Sequence, residues 1–192
     1  MSLDNTYDRK LLEKYYTPTW VSEALFQNYI MPTKVWEPAA GSGNISDYWK
    51  TLGFEVVSHD IAPDREDIKK ADFLLWKDIN YDGDIITNPP YGKKGELAVS
   101  FIEQALTLTK HHKGKVCMLL KADFDSASTR KHLFKNNPYF DMKIVLLNRI
   151  KWTNVEDKGV EPRFNHAWYV WDYMKDKHEF PFIKYYSKDK KL

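Results

Sequence analysis

Short, almost wholly apolar runs alternate along this chain with stretches of helical period, and that alternation narrows the fold more than any other feature. Lys34-Val35-Trp36-Glu37, the run around Val56 and Val57 that ends at Asp60, and Asp84-Ile85-Ile86-Thr87 are three such runs. Val116-Cys117-Met118-Leu119-Leu120, Ile144-Val145-Leu146-Leu147 and Ala167-Trp168-Tyr169-Val170-Trp171 are three more. A strand with one face in water alternates polar and apolar residues, whereas a strand apolar throughout must be covered on both faces. Between the runs, Leu97, Phe101, Ile102, Ala105 and Leu108 recur at helical spacing, with Glu103, Gln104 and Lys110 off the stripe. Residues 45–52 read as a second helix, closed by Gly53 at a C-cap position. The pattern predicts an α/β fold, a mostly parallel sheet with helices on both faces. The last two runs are joined by a polar stretch, residues 151–165, without helical period. They are expected to pair antiparallel at the sheet edge.

Composition limits what such a fold can be for. With 192 residues, 43% of them hydrophobic and 15% aromatic, the chain can build a core, and residues 1–192 are expected to form one domain. A mean hydropathy of −0.60 and the lack of an apolar run of about 18 residues predict no membrane span. The first ten residues carry Asp4, Asp8, Arg9 and Lys10 and do not read as a signal peptide. One cysteine, Cys117, rules out an intrachain disulfide framework and a cysteine-based zinc site, and it suits a reducing cytoplasm. The adjacent His111-His112 have no ligand set around them and read as a polar pair at a helix end, so no metal site is expected. The net charge of +2 and pI of 8.4 do not announce a dedicated nucleic-acid module. The basic excess gathers at the end, residues 173–192, where Lys175, Lys177, Lys184, Lys188, Lys190 and Lys191 interleave with aromatics and suggest a solvated tail.

In a sheet of this kind ligands bind beyond the carboxyl ends of the strands. Four segments stand there. Glu37-Pro38-Ala39-Ala40-Gly41-Ser42-Gly43-Asn44 joins a strand to a helix, and Gly41 and Gly43 allow a tight turn and close approach of a ligand. The dinucleotide pattern GxGxxG is broken, since Ser46 stands in place of the third glycine, which argues against a pyrophosphate site. Asp60, with Ile61, ends the second strand about 20 residues after the loop and suits ribose hydroxyls. Asp72 could hold an adenine amino group, with Phe73 packed on the ring. A ligand with ribose and adenine but no phosphate fits S-adenosylmethionine. The third strand end, Thr87-Asn88-Pro89-Pro90-Tyr91-Gly92, says most. Two prolines fix φ and supply no N–H, so the carbonyls of Asn88 and Pro89 are rigid acceptors. With the Asn88 side chain and the flat face of Tyr91, they can seize a planar –NH₂ group.

On these residues the chain resembles the S-adenosylmethionine-dependent N6-adenine DNA methyltransferases, and in particular small phage-type members. Residues 37–44 look like their cofactor loop, and Asn88, Pro89, Pro90 and Tyr91 like their catalytic tetrapeptide. Tyr15-Tyr16-Thr17-Pro18, within residues 1–33, resembles the segment that closes over the methionine end of the cofactor. Asn148-Arg149-Ile150 and residues 164–171 look like the family's last strands. The resemblance spans about residues 15–172. It implies a Rossmann-like class I methyltransferase with a seven-stranded sheet. Tyr16, Thr17, Pro18, Glu37, Pro38, Ala39, Gly41, Gly43, Asn44, Asp60, Ile61, Asp72, Phe73 and Asn88 would bind the cofactor, and Tyr91 and Phe164 would grip the target base.

The implied reaction moves a methyl group to the exocyclic N6 amine of adenine, by positioning and electrostatics without a metal. Accepting both N–H bonds at Asn88 Oδ1 and the Pro89 carbonyl would turn the nitrogen lone pair toward the methyl. A duplex substrate would require base flipping. The same tetrapeptide also serves enzymes acting on an RNA base or a protein glutamine amide, and a catalytically silent binding subunit is a further alternative. No connection exceeds about 20 residues, which is too short for the usual target-recognition domain. Nucleic acid, DNA first, is therefore the expected partner, bound with little sequence preference unless a specificity subunit assists.

Overall fold

Each apolar run becomes a strand because its neighbours cover it on both sides. The computed structural model describes residues 15–29, 34–78, 80–152, 162–176 and 179–189. The elements run α1 (Thr19–Asn28), β1 (Lys34–Glu37), α2 (Asn44–Thr51), β2 (Glu55–Asp60), β3 (Lys69–Lys70), β4 (Asp84–Thr87), α3 (Glu96–Thr109), β5 (Lys115–Lys121), β6 (Phe140–Leu146), β7 (His166–Asp172) and β8 (Phe182–Tyr186). They form one sheet in the order β3-β2-β1-β4-β5-β7-β6-β8. All pairings are parallel except those of β7 with β5 and β6.

Side chains alternate across a strand, so β5 feeds two cores. Val116, Met118 and Leu120 meet α3 through Phe101, Ile102 and Ala105, together with Phe124, Leu133 and Phe134. Cys117 and Leu119 face the other way, toward Val21, Ala24 and Leu25 of α1 and Ile45 and Trp49 of α2. Helices thus cover both faces, as expected. Gly53 closes α2 with φ +86° and donates to the Lys50 carbonyl at 3.0 Å. His112 sits in the turn after α3, where Nε2 meets the Gly83 carbonyl at 2.9 Å. Among the described residues there is no cluster of groups suited to a metal ion, and no helix is long and apolar enough to cross a membrane.

Two features depart from the sequence reading. The antiparallel pair β6 and β7 forms, but the sheet continues past it. Residues expected in a solvated tail supply β8, an eighth strand parallel to β6, with Tyr186 buried against α1 and β6. The N-terminal segment also contains the helix α1, whose Val21 carbonyl accepts the indole N–H of Trp168 at 2.7 Å. Residues 1–14, 30–33 and 153–161 lie outside the described residues, as do Lys177, Lys190 and Lys191 of the basic run.

Candidate active site

Strands β1, β2 and β4 are parallel neighbours, so the segments after them converge at one end of the sheet. They enclose a cavity of about 780 Å³ lined by Glu37, Pro38, Ala39, Gly41, Asn44, Asp60, Ile61, Asp72, Phe73, Asn88 and Pro90, with Tyr16 and Thr17 reaching it from the N-terminal side. Pro18 stands just outside it, capping α1 at φ −65°. Gly43, Pro89, Tyr91 and Phe164 do not line the cavity. Lys93, Glu96 and Ser100 also line it, and the sequence reading did not single them out.

The glycine loop is tied at its base by a buried carboxylate. Glu37 Oε2 accepts the Ser46 N–H at 2.7 Å and the Ser46 hydroxyl, which also meets Ser58 Oγ at 2.6 Å. Ser46 therefore breaks the dinucleotide fingerprint for a structural reason, since its side chain bonds Glu37 where a glycine would admit close helix–sheet packing. Glu37 is 2% exposed, and burial pushes its carboxyl up to about 8 against the opposing pull of the Ser46 bonds. Gly41 and Gly43 have φ of +52° and +82°, the left-handed region that glycine adopts without a Cβ penalty. A Cβ on Gly43 would lie 2.7 Å from Arg65 Nη1. Arg65 braces the loop from outside, donating to the Ser42 carbonyl at 3.2 Å and pairing with Asp47 and Asp67. Nothing in local sequence pairs Arg65 with a loop more than 20 residues earlier.

Asp60 is 8% exposed, and both its oxygens are oriented by backbone donors. Oδ2 accepts the Gly41 N–H at 2.7 Å and Oδ1 the Ala62 N–H at 2.8 Å. Each oxygen keeps a lone pair. Asp72 Oδ1 accepts the Leu74 N–H at 3.0 Å, capping the short turn that buries Phe73 against Trp36 and Phe101. Asp72 Oδ2 has no hydrogen-bond partner among the described residues.

At the end of β4, the Asn88 amide nitrogen donates to the Tyr15 carbonyl at 3.3 Å and to Thr17 Oγ1 at 3.4 Å. A carbonyl can only accept, so the amide is turned with its nitrogen toward the N-terminal segment and Oδ1 away from it. Tyr16 donates to Asp64 Oδ2 at 2.7 Å, which anchors the same segment beside the glycine loop and raises the phenol's pKa. Tyr91 is half-buried, edge-on to Phe124 at 6.4 Å. Phe164 is 52% exposed. Between them stands Lys121, the last residue of β5, with Nζ 4.0 Å from the Phe164 ring centroid and 5.6 Å from that of Tyr91. The rule that sites gather at strand ends could have flagged this lysine.

No protein-family model matches the chain, and no curated protein does. Solved structures match its fold. A protein from Pyrococcus horikoshii named as an RNA methyltransferase superposes with a TM-score of 0.65 at 19% identity, over 87% of this chain and 90% of that one. A protein from Vibrio vulnificus YJ016, named as the modification subunit of a type I restriction enzyme, gives 0.58 at 12% identity, over 91% of this chain but 47% of that one. A Listeria monocytogenes protein named as a class I S-adenosylmethionine-dependent methyltransferase gives 0.56 at 14% identity, over 88% and 62%. The chain thus spans only part of the latter two. The fold is that of the Rossmann-like class I methyltransferases.

Proposed function

We propose that the protein is an S-adenosylmethionine-dependent methyltransferase that modifies the exocyclic N6 amine of adenine in DNA. One observation carries the reading. Asn88 and Pro90 of the Asn88-Pro89-Pro90-Tyr91 turn line the same cavity as a glycine loop and as Asp60 and Asp72, two aspartates suited to ribose and adenine. The fit to the cofactor rests on the donor set. Asp60 has a free lone pair on each oriented oxygen, Asp72 Oδ2 is left for an amine, and the space above Gly41 is open, with nothing within 4 Å of a Cβ built there. When bound, S-adenosylmethionine supplies an electrophilic methyl on a sulfonium whose departure leaves a neutral thioether.

The chain's own residues supply position. Asn88 Oδ1 and the Pro89 carbonyl accept the two N–H bonds of the target amine and turn its lone pair toward the methyl. Thr17 and the Tyr15 carbonyl hold the Asn88 amide in the orientation that leaves Oδ1 free. Tyr91 supplies an aromatic face. Recognition beyond the target base would come from a partner subunit.

The test is transfer of labelled methyl to DNA, RNA and protein acceptors, with calorimetry of cofactor binding. Label is expected on N6 of adenine in DNA. Asn88→Ala should lower the rate by about 100-fold or more in a folded protein, since it removes an acceptor used mainly in the transition state. Asp60→Ala should weaken cofactor binding by about tenfold or more. Label confined to RNA or protein would reassign the acceptor, and no transfer to any acceptor would overturn the reading.

A further inference from the structure

Lys121 is held at its backbone by the β5–β7 ladder, where it stands opposite His166. Its ammonium lies against the rings of both Phe164 and Tyr91. No carboxylate among the described residues pairs with it. The nearby Asp125 is already engaged by Lys143 at 2.8 and 2.9 Å. An ammonium beside two aromatic faces is attracted to the electron-rich face of each ring. Those are the two faces that would grip a planar acceptor, so cation and acceptor compete for one place.

When an acceptor enters, the ammonium has to leave. Inward, it would meet His166, which is 6% exposed and whose imidazole is pushed down to about 4, mainly by burial and then by Lys121 itself. His166 is therefore a neutral neighbour that brings no countercharge for the ammonium. Outward lies the exposed rim, where Arg149, Lys151 and Arg163 precede β7. Arg149 is held toward this rim by Asn165 Oδ1 at 3.1 Å. A rim of this sign suits an anion adjoining the acceptor.

We propose that Lys121 is a substrate-positioning residue that fills the slot between Phe164 and Tyr91 until a base enters, then contacts a backbone phosphate next to that base. The inference rests on the methyltransferase reading and commits the site to a phosphodiester-linked acceptor. A glutamine side chain brings no phosphate with it. Lys121 thus links base entry to recognition of the strand.

The experiment compares wild type, Lys121→Met and Lys121→Arg on a short single-stranded oligonucleotide containing one adenine, over a series of salt concentrations. Cofactor affinity is followed separately by calorimetry. Lys121→Met keeps the length of the side chain and removes its charge. KM should rise about tenfold at low salt, the loss of one charge-assisted contact, while kcat falls by less than threefold and cofactor affinity holds. The dependence of log KM on log salt should flatten by about 0.7, the share of one phosphate on a single strand. Lys121→Arg should restore both. If the methionine variant does not fold, Lys121→Gln carries the same comparison. An unchanged KM and salt slope beside normal wild-type turnover would overturn the role of Lys121 and leave the methyltransferase reading standing. Wild-type transfer only to protein would overturn the role of Lys121 and reassign the acceptor, and transfer to nothing would overturn both.

Discussion

Glu37 shows how one residue can serve the site at a cost to the fold. Its carboxyl ties the glycine loop to the sheet through Ser46, yet burial raises its pKa from 4.5 to about 8. With the folded value raised, the native state holds the proton more tightly than the unfolded chain does. The contribution is fully present below about pH 4.5 and is lost as pH rises through about 8. Glu37→Gln keeps an oxygen to accept from Ser46 and cannot ionise. Its melting temperature should match wild type near pH 5 and exceed it at pH 9 by about 5 °C, the scale of one to two kcal/mol for a domain of this size. Calorimetric scans at the two pH values check this, and a constant difference between the proteins would show that Glu37 stays ionised without penalty.

Elements were legible in the sequence where local pattern suffices. The middle residues of β1, β4 and β5 are apolar because both faces are covered, and α3 carries a full stripe. β8 was not legible, because its pattern records only half of its environment. Phe182, Ile183, Lys184 and Tyr185 are exposed, and Tyr186 alone is buried. The strand is fixed by distant partners: the open edge of β6, Trp20 stacked on Tyr186 at 6.5 Å, and the Asn28 carbonyl accepting from Lys184 Nζ at 2.8 Å. Likewise Val21, Ala24 and Leu25 mark the buried face of α1, but contact with α2, Trp168 and β6 gives that short helix its place. The site follows the same rule. The glycine loop, Asp60 and the Asn88 turn are contiguous motifs, while Arg65 and Lys121 act on residues far from them in sequence. If β8 is part of the folded sheet, Tyr186→Ala should cost about 3 kcal/mol. Tyr185→Ala, at a side chain 65% exposed, should stay within about 0.5 kcal/mol. Denaturant unfolding measures both, and equal small effects would mean that residues 182–186 contribute no stability.

At the scale of the whole molecule, every strand but β7 runs in one direction, so a single rim of the sheet carries the cavity, the Asn88 turn, Lys121 and Phe164. Net charge is only +2, which leaves attraction to a polyanion to local groups on that rim. Helices α1, α2 and α3 are all packed against the sheet. Among the described residues none is therefore left to enter a major groove, where base pairs are distinguishable. The rim segments at 88–95, 147–152 and 162–165 are short and irregular. They can touch phosphates, which position a strand without reading it, and aromatic faces such as Phe164 accept any base. On the proposed function, selectivity would reside in the pocket for an extruded adenine, with one or two neighbours read at most. Methylation mapping of a long mixed-sequence duplex by this chain alone should find modified adenines scattered over many contexts. The yield should fall as salt rises, because each phosphate contact is electrostatic, with a slope that counts the few phosphates held. A single motif of four or more bases would overturn the prediction.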